Sequence, residues 1–316
     1  MKNRISALSL ASSSAKLEID PWMAMRKKAV VDMPEARGHH AAAVFGAGLF
    51  VHGGQKAEET SSLSDWNLFD FELQVWINIE VKLVLPGETV PQLFVHPRKY
   101  HTMTAVMEPS LTNGRELTRL LWVSPIKELV RKPKALEQGL YIFGGTDENN
   151  MQTDDLIWVY PDFKQNGKNI SKKYGEYKPS GRPEAKFNAR IVKPEGRGPV
   201  ARSQHSTTFF KNQLVIYGGR NDAIFPSIKN VALNDLHIYD VDSNRWAAIA
   251  MYGDIPSSRW GHRLVANENK LMLFGGMNLS SYCESVLYDI HIGKSSTSLL
   301  SVNPSRSNMV YPHCIY

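Results

Sequence analysis

RWGHRLVANENKLMLFGG, residues 259–276, decides how this chain folds. Arg259 is followed three positions on by His262. Then come an apolar run, a polar turn at Asn267-Glu268-Asn269, a second apolar run Leu271–Phe274 and the pair Gly275-Gly276. Two short apolar runs around a polar turn predict a β-hairpin, and the closing glycines mark backbone that a side chain would obstruct.

Three other segments repeat this skeleton. Arg37/His40, Arg98/His101, Arg202/His205 and Arg259/His262 share the offset of three, and Gly pairs stand at 53–54, 144–145, 218–219 and 275–276. From histidine to first glycine the spacing is 13 residues in copies one, three and four and 43 in copy two, so copy two carries a 30-residue insertion. Pro34, Pro199 and Pro256 stand three positions before the arginine, and Gly196 and Gly253 six before it.

A third apolar stretch follows each Gly pair: LFDFELQVW (68–76), LIWVY (156–160), LHIYDVDSNRW (236–246) and VLYDIHI (286–292). A fourth strand is expected around Trp76–Val81, Arg190–Val192, Trp246–Ala250 and Leu299–Val302. Four strands repeated at tens of residues, with no long helix between them, predict radially arranged antiparallel blades.

These residues resemble kelch repeats, whose blades carry Gly-Gly after the second strand, an aromatic on the third and a Trp on the fourth. They are similar in particular to the R-x-x-H variety with a G-x-x-P-x-x-R lead-in. The resemblance covers roughly residues 20–302, while copies two and four lack the fourth-strand Trp. It implies an all-β propeller over 18–302, with blades at about 37–81, 98–192, 202–250 and 259–302, a disordered tail at 1–17 and a second tail at 303–316.

Kelch rings usually have more than four blades, and Trp22 reads as the fourth-strand Trp of a blade whose other strands do not precede it. Three explanations stay open. The preferred one is a fragment or diverged product of a larger propeller; the others are an open ring completed by another molecule and a degenerate blade hidden in 77–139.

The chain of 316 residues, 42% hydrophobic, suits one such body. Two cysteines, Cys283 and Cys314, are too few for a disulfide framework or a cysteine zinc site and favour a reducing compartment. No run of 18 apolar residues is present. Residues 1–17 are Ser-rich and lack acids, a composition that overlaps with a mitochondrial transit peptide. The blander reading is a disordered tail on a cytoplasmic protein, which leaves the sequons at Asn169 and Asn278 unused.

Copy two holds the unusual material. In a four-strand meander the first–second and third–fourth turns lie at one end, so the insertions at about 108–138 and 161–187 emerge from one face. The first has six basic residues against four acidic and the second seven against three, which together make the chain's formal +6. Ser124-Pro125 predicts a helix start, with Ile126, Leu129 and Val130 on one face and Pro133 as the stop. The second insertion, with Lys172, Lys173 and interleaved Tyr174 and Tyr177, suits an acidic protein surface better than nucleic acid, since no RNA-binding motif or basic stripe accompanies it.

Signatures of chemistry are missing. Gly293-Lys294-Ser295 mimics the end of a phosphate-binding loop, but Tyr288 stands where its first glycine must be. No H-E-x-x-H, paired C-x-x-C or G-x-S-x-G occurs. The repeat symmetry that multiplies the four histidines also separates them, so structural roles against backbone are expected for them, with no metal and no cofactor.

The resemblance implies a further role for the arginines. In peptide-binding kelch adaptors, arginines at this place lie near the channel mouth and contact acidic groups. That carries over to Arg37, Arg98, Arg202 and Arg259, with Gln55, Thr146, Arg220 and Met277 just after each Gly pair beside them. The opposing expectation is that each arginine is spent on a nearby acid or carbonyl. The reading as a whole is a non-catalytic protein-binding module, docking through its loop face and the basic insertions with Lys172 and Lys173. The alternative is the regulatory part of a larger phosphatase or ubiquitin-ligase assembly.

Overall fold

A computed structural model describes residues 33–46, 48–71, 74–84, 95–107, 137–161, 185–223, 231–267, 270–279, 282–283, 287–292 and 300–305. Within them every regular element is a strand. The first meander is β1 (Ala41–Phe45), β2 (Gly48–His52), β3 (Trp66–Asp70) and β4 (Val75–Leu83), and the second is β5 (Thr102–Val106), β6 (Gly139–Phe143), β7 (Leu156–Pro161) and β8 (Ala185–Val192). The third is β9 (Ser206–Phe210), β10 (Gln213–Arg220), β11 (Ala232–Asp240) and β12 (Arg245–Ile249). After a short β13 (Met251–Gly253) come β14 (Arg263–Asn267), β15 (Lys270–Phe274), β16 (Leu287–Ile292) and β17 (Leu300–Ser305).

Within each meander neighbours pair antiparallel, Phe45 with Gly48 and Gln213 with Phe210 closing the tight turns. The first strands β1, β5, β9 and β14 pack on one another in succession, so they stand innermost around a common axis. This is the all-β, radially repeated architecture of a kelch propeller.

Several boundaries differ from the sequence reading. The stretch 68–76 is two strands, because Gln74 takes a positive φ of 55° and its N–H turns back to the Asp70 carbonyl at 2.8 Å. The second insertion ends earlier than expected: Ala185, Lys186 and Phe187 already belong to β8, paired with β4. Residues 108–136 and 162–184 of the insertions, the helix expected after Ser124, Lys172, Lys173, Trp22, the N-terminal tail, 306–316 and the Gly293 loop lie outside the described residues. The tail expected from 303 starts later, because Asn303, Pro304 and Ser305 still belong to β17 and pair with β16.

The outer strands hold a feature the repeat pattern did not predict. The end of β4 pairs in parallel with β8, from Ile79 opposite Ala185 to Leu83 opposite Ala189, which merges the first two meanders into one eight-stranded sheet. Glu195, just beyond β8, bridges Arg245 of β12 in parallel, and β13 pairs in parallel with β17. In the first three blades the outer strand, or the segment just after it, thus reaches across to the next blade, covering an edge that would otherwise template aggregation.

Three apolar layers fill the spaces between successive blades. Leu68, Ile77, Met103, Leu140 and Ile142 form the first, Tyr141, Phe143, Leu214, Ile216 and Trp246 the second, and Val215, Tyr217, Leu236, Leu264 and Leu273 the third. Alternation along β6 sends Leu140 and Ile142 to one layer and Tyr141 and Phe143 to the other. This is why that strand is apolar throughout.

Candidate functional site: blade junctions and the loop face

The two halves of the repeat motif meet between blades. At Gly53, Gly144 and Gly218 a Cβ would lie 2.4, 2.6 and 2.8 Å from the backbone oxygens of Arg98, Arg202 and Arg259 in the next blade. The same Cβ would sit 2.9–3.1 Å from the ring of that blade's His101, His205 or His262. With φ near +60° as well, these positions admit only glycine without strain. The second glycine of each pair donates its N–H to the same arginine carbonyl: Gly54 to Arg98, Gly145 to Arg202 and Gly219 to Arg259, at 2.8–2.9 Å.

The histidines complete these junctions. His101 Nε2 lies 3.1 Å from His52 Nδ1, His205 Nε2 lies 2.8 Å from Thr102 Oγ1, and His262 Nε2 lies 3.1 Å from the Tyr217 carbonyl oxygen. Only the last of these is a contact with backbone. Burial, reinforced by the neighbouring arginines, pushes His52 and His262 down to about 3 and holds His101 and His205 well below the usual imidazole range. All four are therefore neutral at pH 7. His101, His205 and His262 sit in separate junctions, His52 sharing that of His101, and among the described residues no three metal-ligating side chains converge.

The four arginines are internal clamps. Arg202 forks onto Asp235 at 2.8 and 2.7 Å and also donates to the carbonyls of Gly218 and Val200. Arg98 forks onto Asp155 at 3.0 and 2.9 Å, and Arg37 onto Asp65 at 2.5 and 2.7 Å. Arg259 donates to Gly275 O, Ser257 O and Ser257 Oγ. Burial would raise the three carboxyls, but the guanidinium hydrogen bonds outweigh it and hold Asp65, Asp155 and Asp235 below the usual range. The arginine side chains that pair with Asp65, Asp155 and Asp235 are only 5%, 3% and 0% exposed, so they offer a peptide no surface. The sequence carries a sign of this: Asp155 and Asp235 stand directly before the third apolar run, at Leu156 and Leu236, and Asp65 three residues before it.

The residues after each Gly pair do form a rim. Isolated bridges join Gly38 to Gln55, Lys99 to Thr146, Ser203 to Arg220 and Trp260 to Met277 at the end of the blades where second strands pass to third. Lys99 Nζ donates to Gln55 Oε1 at 2.9 Å and to the Thr60 carbonyl, and Arg220 reaches Asp222 at 2.6 Å. Gln152 of the second blade also reaches Asp222, at 3.1 Å. Thr146 is buried, whereas Gln55, Arg220 and Met277 are half-buried.

Inside the rim the residue before each histidine takes a left-handed backbone: His39, Tyr100, Gln204 and Gly261, with φ of 55–68°. Their amides form a chain around the axis, Tyr100 N–H to His39 O, Gln204 N–H to Tyr100 O and Gly261 N–H to Gln204 O, at 2.8–2.9 Å. Sequence reasoning missed this collar, and only the glycine at 261 hinted at the backbone it needs.

Apolar side chains collect on the same end. Met151 is 56% exposed, Leu279 60% and Tyr282 72%, all in loops between second and third strands. Val200 and Ile255, also exposed, lie on the links that lead into the third and fourth arginines. At the opposite end, among the described residues, Phe71 is the one exposed large hydrophobic.

The comparisons agree with this geometry. Residues 134–299 match the family model described as the KLHDC2/KLHL20/DRC7 Kelch-repeats domain. Acyl-CoA-binding domain-containing protein 4 of Arabidopsis thaliana is 25% identical over 281 residues, which cover 81% of this chain and 37% of that protein. Host cell factor of Drosophila melanogaster is 27% identical over 105 residues, 33% of this chain and 6% of that protein. Host cell factor 2 of Homo sapiens is 26% identical over 125 residues, 40% and 14%. The chain spans well under half the length of each of these relatives. The family match takes in more than half of the chain, and the glycine pairs, junction histidines and radial sheets it implies are all in place: the chain belongs to the kelch-repeat family.

Proposed function

We propose that this kelch module binds a protein partner on the loop face around its axial collar, without catalysing a reaction on it. The observation that carries this is the exposure of Met151, Leu279 and Tyr282 on loops at one end of the sheet frame, where second strands pass to third. A tyrosine and two flexible apolar side chains at the same end as the polar Gln55–Lys99 and Arg220–Asp222 pairs have the composition of a binding surface. Kelch repeats are in general protein-interaction modules, which supports the same reading.

The test is capture of partners from a lysate by the intact chain, by a Met151→Ser/Leu279→Ser/Tyr282→Ser variant, and by chains lacking 108–138 or 161–187. Loss of the same partners from the triple variant alone supports the loop face. Loss confined to either deletion would move the docking surface to the basic insertions, which account for the chain's net charge of +6. Retention by all three variants would contradict both.

A second reading, a partner-binding part within a larger assembly, is favoured by coverage: the match spans 37% of the Arabidopsis thaliana relative and less of the others. We propose a cytoplasmic site of action on cysteine content alone, and a fluorescent fusion imaged in cells checks it.

A further inference from the structure

We propose that two copies of this chain join head to tail, the first blade of one packing on the fourth blade of the other. The proposal does not rest on the loop-face reading, because it concerns the flat sides of the terminal blades.

The three internal junctions share one composition. The preceding blade supplies a glycine pair and an apolar side, and the following blade supplies a histidine and the inward side of its first strand. Each terminal blade presents one of these halves to solvent.

On the fourth blade, a Cβ at Gly275 would meet nothing within 4 Å among the described residues, whereas at Gly53, Gly144 and Gly218 it would strike the next blade's arginine carbonyl. Gly275 and Gly276 are half-buried where the other three pairs are buried. Val265, on the same side of β14, is 51% exposed, whereas its counterpart Thr104 is 8% exposed and Ala43 packs on the first apolar layer.

The first blade carries the other half. His40 is exposed, whereas His101, His205 and His262 are 5%, 3% and 1% exposed. Ala42 is exposed where its counterparts Met103 and Leu264 are 7% and 5% exposed. Val44 is 49% exposed where Ala105 and Ala266 pack into the layers between blades. Within one chain β14 does not pack on β1 as β5, β9 and β14 pack on their predecessors.

The two free sides are thus complementary halves of a joint this chain already makes three times. Every copy owns one of each, so two copies close on themselves about a two-fold axis with two identical joints. The closed ring would combine two sets of four meanders, within the range of roughly 4–8 blades over which propellers close.

The test is solution mass by light scattering for the intact chain, for Val44→Asp, for Val265→Asp and for an equimolar mixture of the two variants. Both substitutions fall on exposed positions, and circular dichroism verifies that each variant is folded. The expected result is an intact chain at twice the 35.6 kDa of one copy, each variant at a single copy, and a two-copy species restored in the mixture, where one unmodified side of each kind remains. An intact chain that runs as one copy, or a dimer that neither substitution affects, would overturn the proposal. A single-copy mass combined with a lowered melting temperature in Val265→Asp would overturn it in favour of coverage by another part of the same chain.

Discussion

Arg202 is fully buried and charged, a costly state unless it is paired, and its fork to Asp235 with two carbonyls beneath engages all three of its nitrogens. Asp235→Asn should therefore lower stability by about 2–4 kcal/mol, discounted from a fully buried pair because the Asp235 side chain is 39% exposed. Urea unfolding followed by tryptophan fluorescence measures it, and a change below about 0.5 kcal/mol would contradict the clamp. Gly144→Ala should cost at least as much, since its Cβ would lie 2.6 Å from the Arg202 carbonyl oxygen at a φ of +61°. The histidines set a pH dependence of definite sign. His52, His101, His205 and His262 stay neutral when folded but take up protons near pH 6.5 when unfolded, so the unfolded chain binds more protons as pH falls below 6.5. Stability should be full above that pH and fall from there toward about 3, by up to about 1.4 kcal/mol per pH unit for each histidine. The clamped aspartates add a loss only below their ordinary 3.8. Unfolding midpoints that do not change between pH 7.5 and 5 would contradict this assignment.

At the scale of the strand, much of the architecture is legible in the sequence and some is not. The alternation in Leu264, Ala266, Leu271 and Leu273, the spacing to Gly275-Gly276 and Trp246 in a fourth strand all announce blades, because period-two burial and obligatory glycines are local properties. The parallel pairing of β4 with β8 leaves no local trace, since an outer strand shared by two blades has the same β-branched composition as one owned by a single blade. The arginines were legible as a repeat but not in their role: a guanidinium at a channel mouth and one buried on Asp155 have the same letter, and only the distance to Asp155 separates them. The shared outer strand makes its own prediction. Val81→Pro, at a position 3% exposed and opposite Phe187, should break the ladder and raise amide exchange through Ala185–Val192. Protection of β8 equal to that in the unmodified chain would show that the pairing contributes little.

For the whole molecule, the repeat motif acts as a fastening between blades rather than as a reactive group within each. The arginine carbonyl and histidine ring of one blade close over the glycines of the one before, and the frame this builds carries Met151, Leu279 and Tyr282 outward on its loop face. A module fastened in this way should unfold cooperatively. The most direct measurement is native-state hydrogen exchange at the amides of Gly54, Gly145 and Gly219, each bonded across a junction. The account predicts that all three exchange only through the same large opening, with equal free energies close to that of global unfolding. Exchange at any one of them as fast as at a loop amide such as Glu148 would contradict it.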